Sequence, residues 1–304
     1  MKYSALILLL FFVVPSAGQS GKKVVRVTLP EKQPVFLLPF AQFNFEPINE
    51  ASGLVKSRKF PNLFWMHNDS GDKAGIFAVR KDGGIVKSKN ALNAYDGIHI
   101  TSAQNHDWED IAADNAGNLI IADSGNNKSK RKNLAVYFVK EPDPTEKSIA
   151  KAYKKIRFYY PDQHGFPPVK KNFDAEAIFW AKGKLYLLTK HRSDTYTKLY
   201  RFDLMDGKKT NPLTLLGTFN AGGMVTAADA SPNGNKVVVL TYTAVWLFEI
   251  SGTGDDYFHG KISWLPIFAK QCEGVCFDGD AILISNEQRD LYQLPLDQLI
   301  VVKK

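Results

Sequence analysis

Polar and apolar positions alternate along this chain in short runs of four to six residues, broken by Gly, Asn, Asp and Pro. Such runs read as half-buried or buried strands with tight turns between them. Helical spacing is nearly absent; one short helix is expected after Pro144, over Thr145 to Lys154. One unit recurs. A strand with a polar residue near its start, of the form E-x-h-x-h (h, hydrophobic), leads through a turn to a strongly apolar strand. A polar cluster and a third strand follow. In the second unit these are Trp108-Glu109-Asp110-Ile111-Ala112-Ala113, a turn at Asn115 to Asn118, Leu119 to Ala122, Asp123 to Asn127 and Leu134 to Val139. The third unit carries Ala175-Glu176-Ala177-Ile178-Phe179-Trp180, Leu185 to Leu188, Thr189-Lys190-His191-Arg192 and Lys198 to Leu204. The fifth carries Cys272-Glu273-Gly274-Val275-Cys276-Phe277, Ala281 to Ile284 and Ser285-Asn286-Glu287.

Two units replace the carboxylate with a hydroxyl. The first opens with Ala51-Ser52-Gly53-Leu54-Val55, followed by Asn62 to Met66 and His67 to Asp72. The fourth opens with Val225-Thr226-Ala227-Ala228-Asp229-Ala230, followed by Lys236 to Leu240 and Thr241-Tyr242-Thr243. Aligned through their turns, the strand-opening residues are Ser52, Glu109, Glu176, Thr226 and Glu273. Their separations (109−52, 176−109, 226−176, 273−226) are 57, 67, 50 and 47 residues. Units of this length fit the blades of an all-β, five-bladed β-propeller, with six blades as the alternative. Fourth strands are expected at Ile156 to Tyr160, Leu213 to Phe219 and Ile262 to Phe268. The fifth unit lacks its own, so Val24 to Leu29 or Gln42 to Phe45 is expected to supply it and close the ring.

The first strand of each blade lines a propeller's central channel, so the five opening residues converge near one end of it. Three carboxylates gathered there repel one another unless protons or a cation intervene. Carboxylate and hydroxyl oxygens suit a hard cation, Ca²⁺ before Mg²⁺, so Ser52, Glu109, Glu176, Thr226 and Glu273 are candidate ligands of a central ion. The loops before the first strand and between the second and third lie above this ring. They bring His67, Asn68, Asp69, Asp107, Asp123, Asn126, Asp174, Lys190, His191, Arg192, Tyr242, Asn286 and Glu287 to the mouth.

Composition adds bounds. Lys2, the apolar run Ala5 to Val14 and Ser16-Ala17-Gly18 make residues 1–18 a cleavable export signal, with one propeller domain over 19–304 and a secreted or periplasmic location. No later run is long enough to cross a membrane as a helix. Cys272 and Cys276 lie in one strand, roughly 13 Å apart, too far for a disulfide. The net charge of +8 is spread along the chain and densest at Lys128 to Lys132, which gives little support for a nucleic-acid partner. A monomer is expected.

Asn68-Asp69-Ser70-Gly71-Asp72, Asp107 to Ala112, Leu185 to Lys190 and Val225 to Pro232 together resemble a group of secreted bacterial propellers. The ring order Ser, Glu, Glu, Thr, Glu is similar to the Ser, Glu, Glu, Ser, Glu ring of the soluble calcium-activated nucleotidases (apyrases), as are Glu176-x-x-x-Trp180 and Glu273-Gly274 with Phe277. The resemblance implies five blades and a central Ca²⁺; the nucleotidases' longer substrate signatures are not recognisable here. Two functions follow as expectations. One is Ca²⁺-dependent hydrolysis of a phosphoester or similar small anion, with Asp69, Asp107 or Asp123 orienting water and Lys190 and Arg192 holding the anion. The other is a binding propeller for an extracellular glycan or peptide, with a purely structural Ca²⁺.

Overall fold

The structure is a computed structural model and describes residues 24–89, 91 and 95–304. The expected export signal therefore lies outside the described residues. Strands dominate, and they group in five antiparallel sets of four. The sets are Ala51–Lys56, Leu63–Asn68, Gly75–Arg80 and Ile98–Thr101; then Trp108–Ala113, Asn118–Asp123, Ala135–Lys140 and Ile149–Tyr159. Asp174–Ala181, Lys184–Lys190, Tyr196–Arg201 and Thr214–Asn220 form the third. Val225–Ala230, Lys236–Thr241, Ala244–Glu249 and Lys261–Phe268 form the fourth. The fifth has Cys272–Asp278, Ala281–Asn286 and Asp290–Pro295, and its fourth strand is Ala41–Gln42 from the other end of the chain, with Ala41 opposite Leu291. Val24 to Leu29 does not close the ring; Val25 instead bridges to Phe219 and Thr28 to Lys303.

Each set packs on the next through its own apolar layer. Trp65 and Ile76 of the first set meet Ile111 and Tyr137 of the second. Ile120 and Val136 meet Ile178 and Leu187 of the third. Phe179 and Tyr186 meet Trp246 and Val239 of the fourth. Val238 and Leu247 meet Val275 and Ile284 of the fifth, and Cys276 and Leu283 return to Leu54 and Phe64 of the first. The cycle is closed, and the innermost strands contact one another around it. This is a β-propeller arrangement. Because each sheet is covered on both faces, strands such as Trp108–Ala113 and Val225–Ala230 are buried throughout.

The innermost strands share no backbone ladder. The outer strands Ile98–Thr101 and Ile149–Tyr159 pair in parallel between the first and second sets, and around the channel packing and a few side chains join the sets. Asp110, with no exposed surface, accepts the Ile178 N–H of the third set at 2.8 Å and the Ala228 N–H of the fourth at 3.4 Å. Asp229 accepts the Phe277 N–H of the fifth at 2.9 Å. The turn after the innermost strand requires a left-handed residue, supplied by Gly117, Gly183, Gly234 and Gly279.

One expected element is corrected. Thr145 to Lys154 is not helical: a turn is followed by the strand Ile149–Tyr159, whose Ala152, Ile156 and Phe158 are buried. The neighbouring strand Ala135–Lys140 offers a ladder, with Phe138 opposite Lys154, and that tertiary partner overrides a weak local helix preference. Cys272 and Cys276 are free and buried, as small apolar residues.

Candidate functional site

All five innermost strands break register near their opening residue, four of them at that residue and the first just after it. The pairing skips at Ser52/Val55, Trp108/Asp110, Ala175/Ala177, Val225/Ala227 and Cys272/Gly274. Glu109, Glu176, Thr226 and Glu273 are thus the extra residues of β-bulges, and Ser52 borders the fifth irregularity. A bulge turns its residue out of the ladder and re-aims the side chain. Here it points four residues of an otherwise apolar strand away from the alternation around them. Ser52, Glu109, Glu176, Thr226 and Glu273 are all buried.

The five are not equivalent. Ser52 Oγ donates to the Glu109 backbone carbonyl at 2.8 Å, which leaves its lone pairs free. Thr226 Oγ1 is buried without a hydrogen-bond partner among the described residues. Glu109 is 5% exposed, and no hydrogen-bond donor among the described residues reaches its carboxylate. Glu176 accepts Lys190 Nζ at 2.8 Å and Arg192 Nη2 at 3.2 Å. Glu273 accepts the Tyr242 hydroxyl at 2.6 Å, and the same Tyr242 oxygen receives Lys190 Nζ at 3.0 Å.

Glu109 belongs to two carboxylate trios, Asp69–Asp107–Glu109 and Glu109–Asp174–Glu176, each with oxygens within 4.8 Å of one another. In the second trio Asp174 is bound by Arg192 Nε at 2.5 Å and by the Asn126 N–H. No cation among the described residues is in close contact with the first trio: Arg131 Nη1 lies 4.0 Å from Asp107, and Lys190 and Arg192 act on Asp69 and Glu109 at longer range. Burial, reinforced by Glu176, Asp69, Asp174 and Asp107, pushes Glu109 well above the ordinary carboxylate range. Burial and then Asp174 raise Glu176. Burial carries Glu273 to about 7 against the pull of Lys190 and Tyr242, and Asp69 to about 6. Burial works against the Lys190 charge, yet Glu176 and Glu273 outweigh it and hold the ammonium protonated. Negative charge is crowded here beyond what the nearby cations offset.

Of the five residues expected to act on a substrate, Asp69 and Asp107 stand half-buried beside Glu109. Asp123 is fully buried and accepts the Asp107 N–H and Arg131, with His106 at 2.9 Å, so it builds the loop. Lys190 and Arg192 are engaged by carboxylates of the ring. Elsewhere at the mouth, His67 is held neutral down to about 4 by burial, and Asn286 is tied to Asp290 and Tyr292. Asp110 and Asp229 were not anticipated as links between sets. Their signal is a carboxylate inside an apolar strand, one and three residues after the ring position. At the far end of the channel Asp229 lines a cavity of about 690 Å³ with Val55, Arg58, Phe277 and Leu296.

No family model and no curated protein matches the chain. Among solved structures it is similar to a chain of the mitotic checkpoint complex, with 11% identity and TM-score 0.41 over 95% of this chain and 99% of that one. A chain of a nidogen/laminin complex gives 12% identity and TM-score 0.44 over 85% of each. The RRP9 WD40 repeats give 12% and 0.40 over 81% of this chain and 67% of that one. All three TM-scores lie below 0.5, and the propeller architecture rests on the strand order and the cyclic packing of the five sets.

Proposed function

We propose that the chain is a five-bladed propeller whose acidic channel mouth binds a divalent, oxygen-seeking cation, Ca²⁺ before Mg²⁺, and through it a small anionic ligand. Five apolar layers in a closed cycle support five blades over six. The observation that carries the cation is Glu109, a buried residue whose carboxylate has no hydrogen-bond donor among the described residues, set against Asp69 and Asp107. The unpartnered Thr226 Oγ1 and the free lone pairs of Ser52 add oxygen donors suited to such an ion. When bound, the cation would neutralise the mouth and polarise an anion's oxygen. Asp69, half-buried beside Glu109, would orient water toward an anion held by the cation, which supports hydrolysis of a phosphoester or related anion.

A second reading, a structural cation in a binding propeller, is favoured by the engagement of Lys190 and Arg192 with Glu176 and Asp174. Calorimetric titration with Ca²⁺ tests the cation directly. Glu109→Gln is expected to weaken binding at least tenfold, and unchanged affinity would refute the site. Assays against nucleoside di- and triphosphates and phytate, with and without EDTA, separate the two readings. Chelator-sensitive turnover supports hydrolysis; a chelator effect on melting temperature alone supports the structural cation.

A further inference from the structure

We infer that Lys190 is a resident cation of the ring, occupying the side on which Glu176 and Glu273 would otherwise hold a metal ion, so that a divalent ion is left with Glu109, Asp69 and Asp107. This rests on the cation reading above and narrows it to one half of the ring. Lys190 stands at the end of the strand Lys184–Lys190, and its side chain is 5% exposed. Its ammonium touches Glu176 at 2.8 Å and the Tyr242 hydroxyl at 3.0 Å, lies over the Tyr242 ring at 4.9 Å, and reaches Glu273 through that hydroxyl. One side chain thereby joins the third, fourth and fifth sets, and two oxygen acceptors lie within hydrogen-bond distance of its ammonium.

The charges divide accordingly. Asp174 and Glu176 are in contact with Arg192 and Lys190, and Glu273 reaches Lys190 through Tyr242. Glu109, nine-tenths buried, instead has no hydrogen-bond donor among the described residues, feels Arg192 only at longer range and shares its other trio with Asp69 and Asp107. A divalent ion centred among all five opening residues would sit within a few ångströms of the buried ammonium, where like charges repel strongly. Among the described residues, no ammonium or guanidinium lies in hydrogen-bond contact with Glu109, Asp69 or Asp107; Arg131 is 4.0 Å from Asp107, and the close donor to Asp69 is the neutral Ser70 N–H at 2.5 Å. The five-fold register of the strands is therefore not a five-fold ligand set.

The test compares Ca²⁺ affinity by calorimetry in the full chain and in Asp69→Asn, Glu273→Gln and Lys190→Met. Asp69→Asn is expected to weaken binding at least tenfold and Glu273→Gln less than threefold. Lys190→Met is expected to tighten binding and to make a further Glu273→Gln change costly. A tenfold loss in Glu273→Gln alone, or none in Asp69→Asn, would overturn the division of the ring. Should the native chain bind no Ca²⁺ while Lys190→Met does, the ammonium replaces the metal outright, and it is the cation reading that fails. Should neither bind, with Lys190→Met folded by circular dichroism, both fail. If Lys190→Met does not fold, Asp69→Asn and Glu273→Gln decide in the native Lys190 background.

Discussion

Replacing Asp110 removes a link that the backbone itself cannot provide. Its carboxylate has no exposed surface and accepts the N–H groups of Ile111, Ile178 and Ala228, the last two from the third and fourth sets. Asp110→Ala leaves the Ile178 and Ala228 donors facing the channel without an acceptor. An orphaned buried donor costs about 1–3 kcal/mol, and the longer 3.4 Å contact should contribute near the bottom of that range. The void left by the side chain adds about 1 kcal/mol. Burial raises the Asp110 pKa, so desolvation offsets part of the loss. The sum before that offset is about 3–5 kcal/mol for Asp110→Ala, and the net loss is about 2–4 kcal/mol. Asp110→Asn keeps one acceptor oxygen and should lose about half as much. Urea unfolding followed by tryptophan fluorescence measures both, and the alanine variant should melt on the order of 10 °C lower. A change within about 0.5 kcal/mol, the scale of an ordinary surface substitution, would refute the linking role.

Gly125 backs directly onto the acidic mouth. A Cβ there would lie 2.0 Å from Glu109 Oε1 and 2.5 Å from Asp107 Oδ2. Gly125→Ala should displace both carboxylates, lower stability by about 1–3 kcal/mol and weaken Ca²⁺ binding at least tenfold by calorimetry. Asp229 titrates near 6 in the folded chain because burial disfavours its charge, against an ordinary value of 3.8. Its contribution to stability is therefore complete below about pH 4 and is lost as pH rises through 6. Asp229→Asn should flatten the melting temperature between pH 4 and 6; an unchanged slope would show that another group carries it.

How much of this was legible in one dimension follows from the reach of each interaction. Alternation and turn residues are local, so the strands around Glu109, Glu176 and Glu273 were readable from neighbours alone. So was the shared position of Ser52 and Thr226, because recurrence in register is a property of order along the chain. The C-terminal part of Ile149–Tyr159 is legible as the strand expected at Ile156 to Tyr160, but its first half reads as helix because its partner, Ala135–Lys140, decides its conformation through a ladder that local propensity does not include. Ala41–Gln42 closes on Asp290–Pro295 across nearly the whole chain, and only the ring's geometry selects it over Val24 to Leu29.

The site divides in the same way. Sequence order determined which side chains converge on the axis, since every repeat begins its innermost strand alike. Tertiary structure decided what each does on arrival. The bulges aim Glu109, Glu176, Thr226 and Glu273 inward, and Lys190 reaches from a neighbouring strand to bind Glu176. Asp123 is absorbed by Arg131 and His106, while Glu109 is left without a hydrogen-bond donor among the described residues. Pairing between charges changes over a few ångströms, because in a buried channel the nearest donor sets which carboxylate is neutralised. Distances of that size are fixed by packing in three dimensions, and residue spacing along the chain carries no record of them.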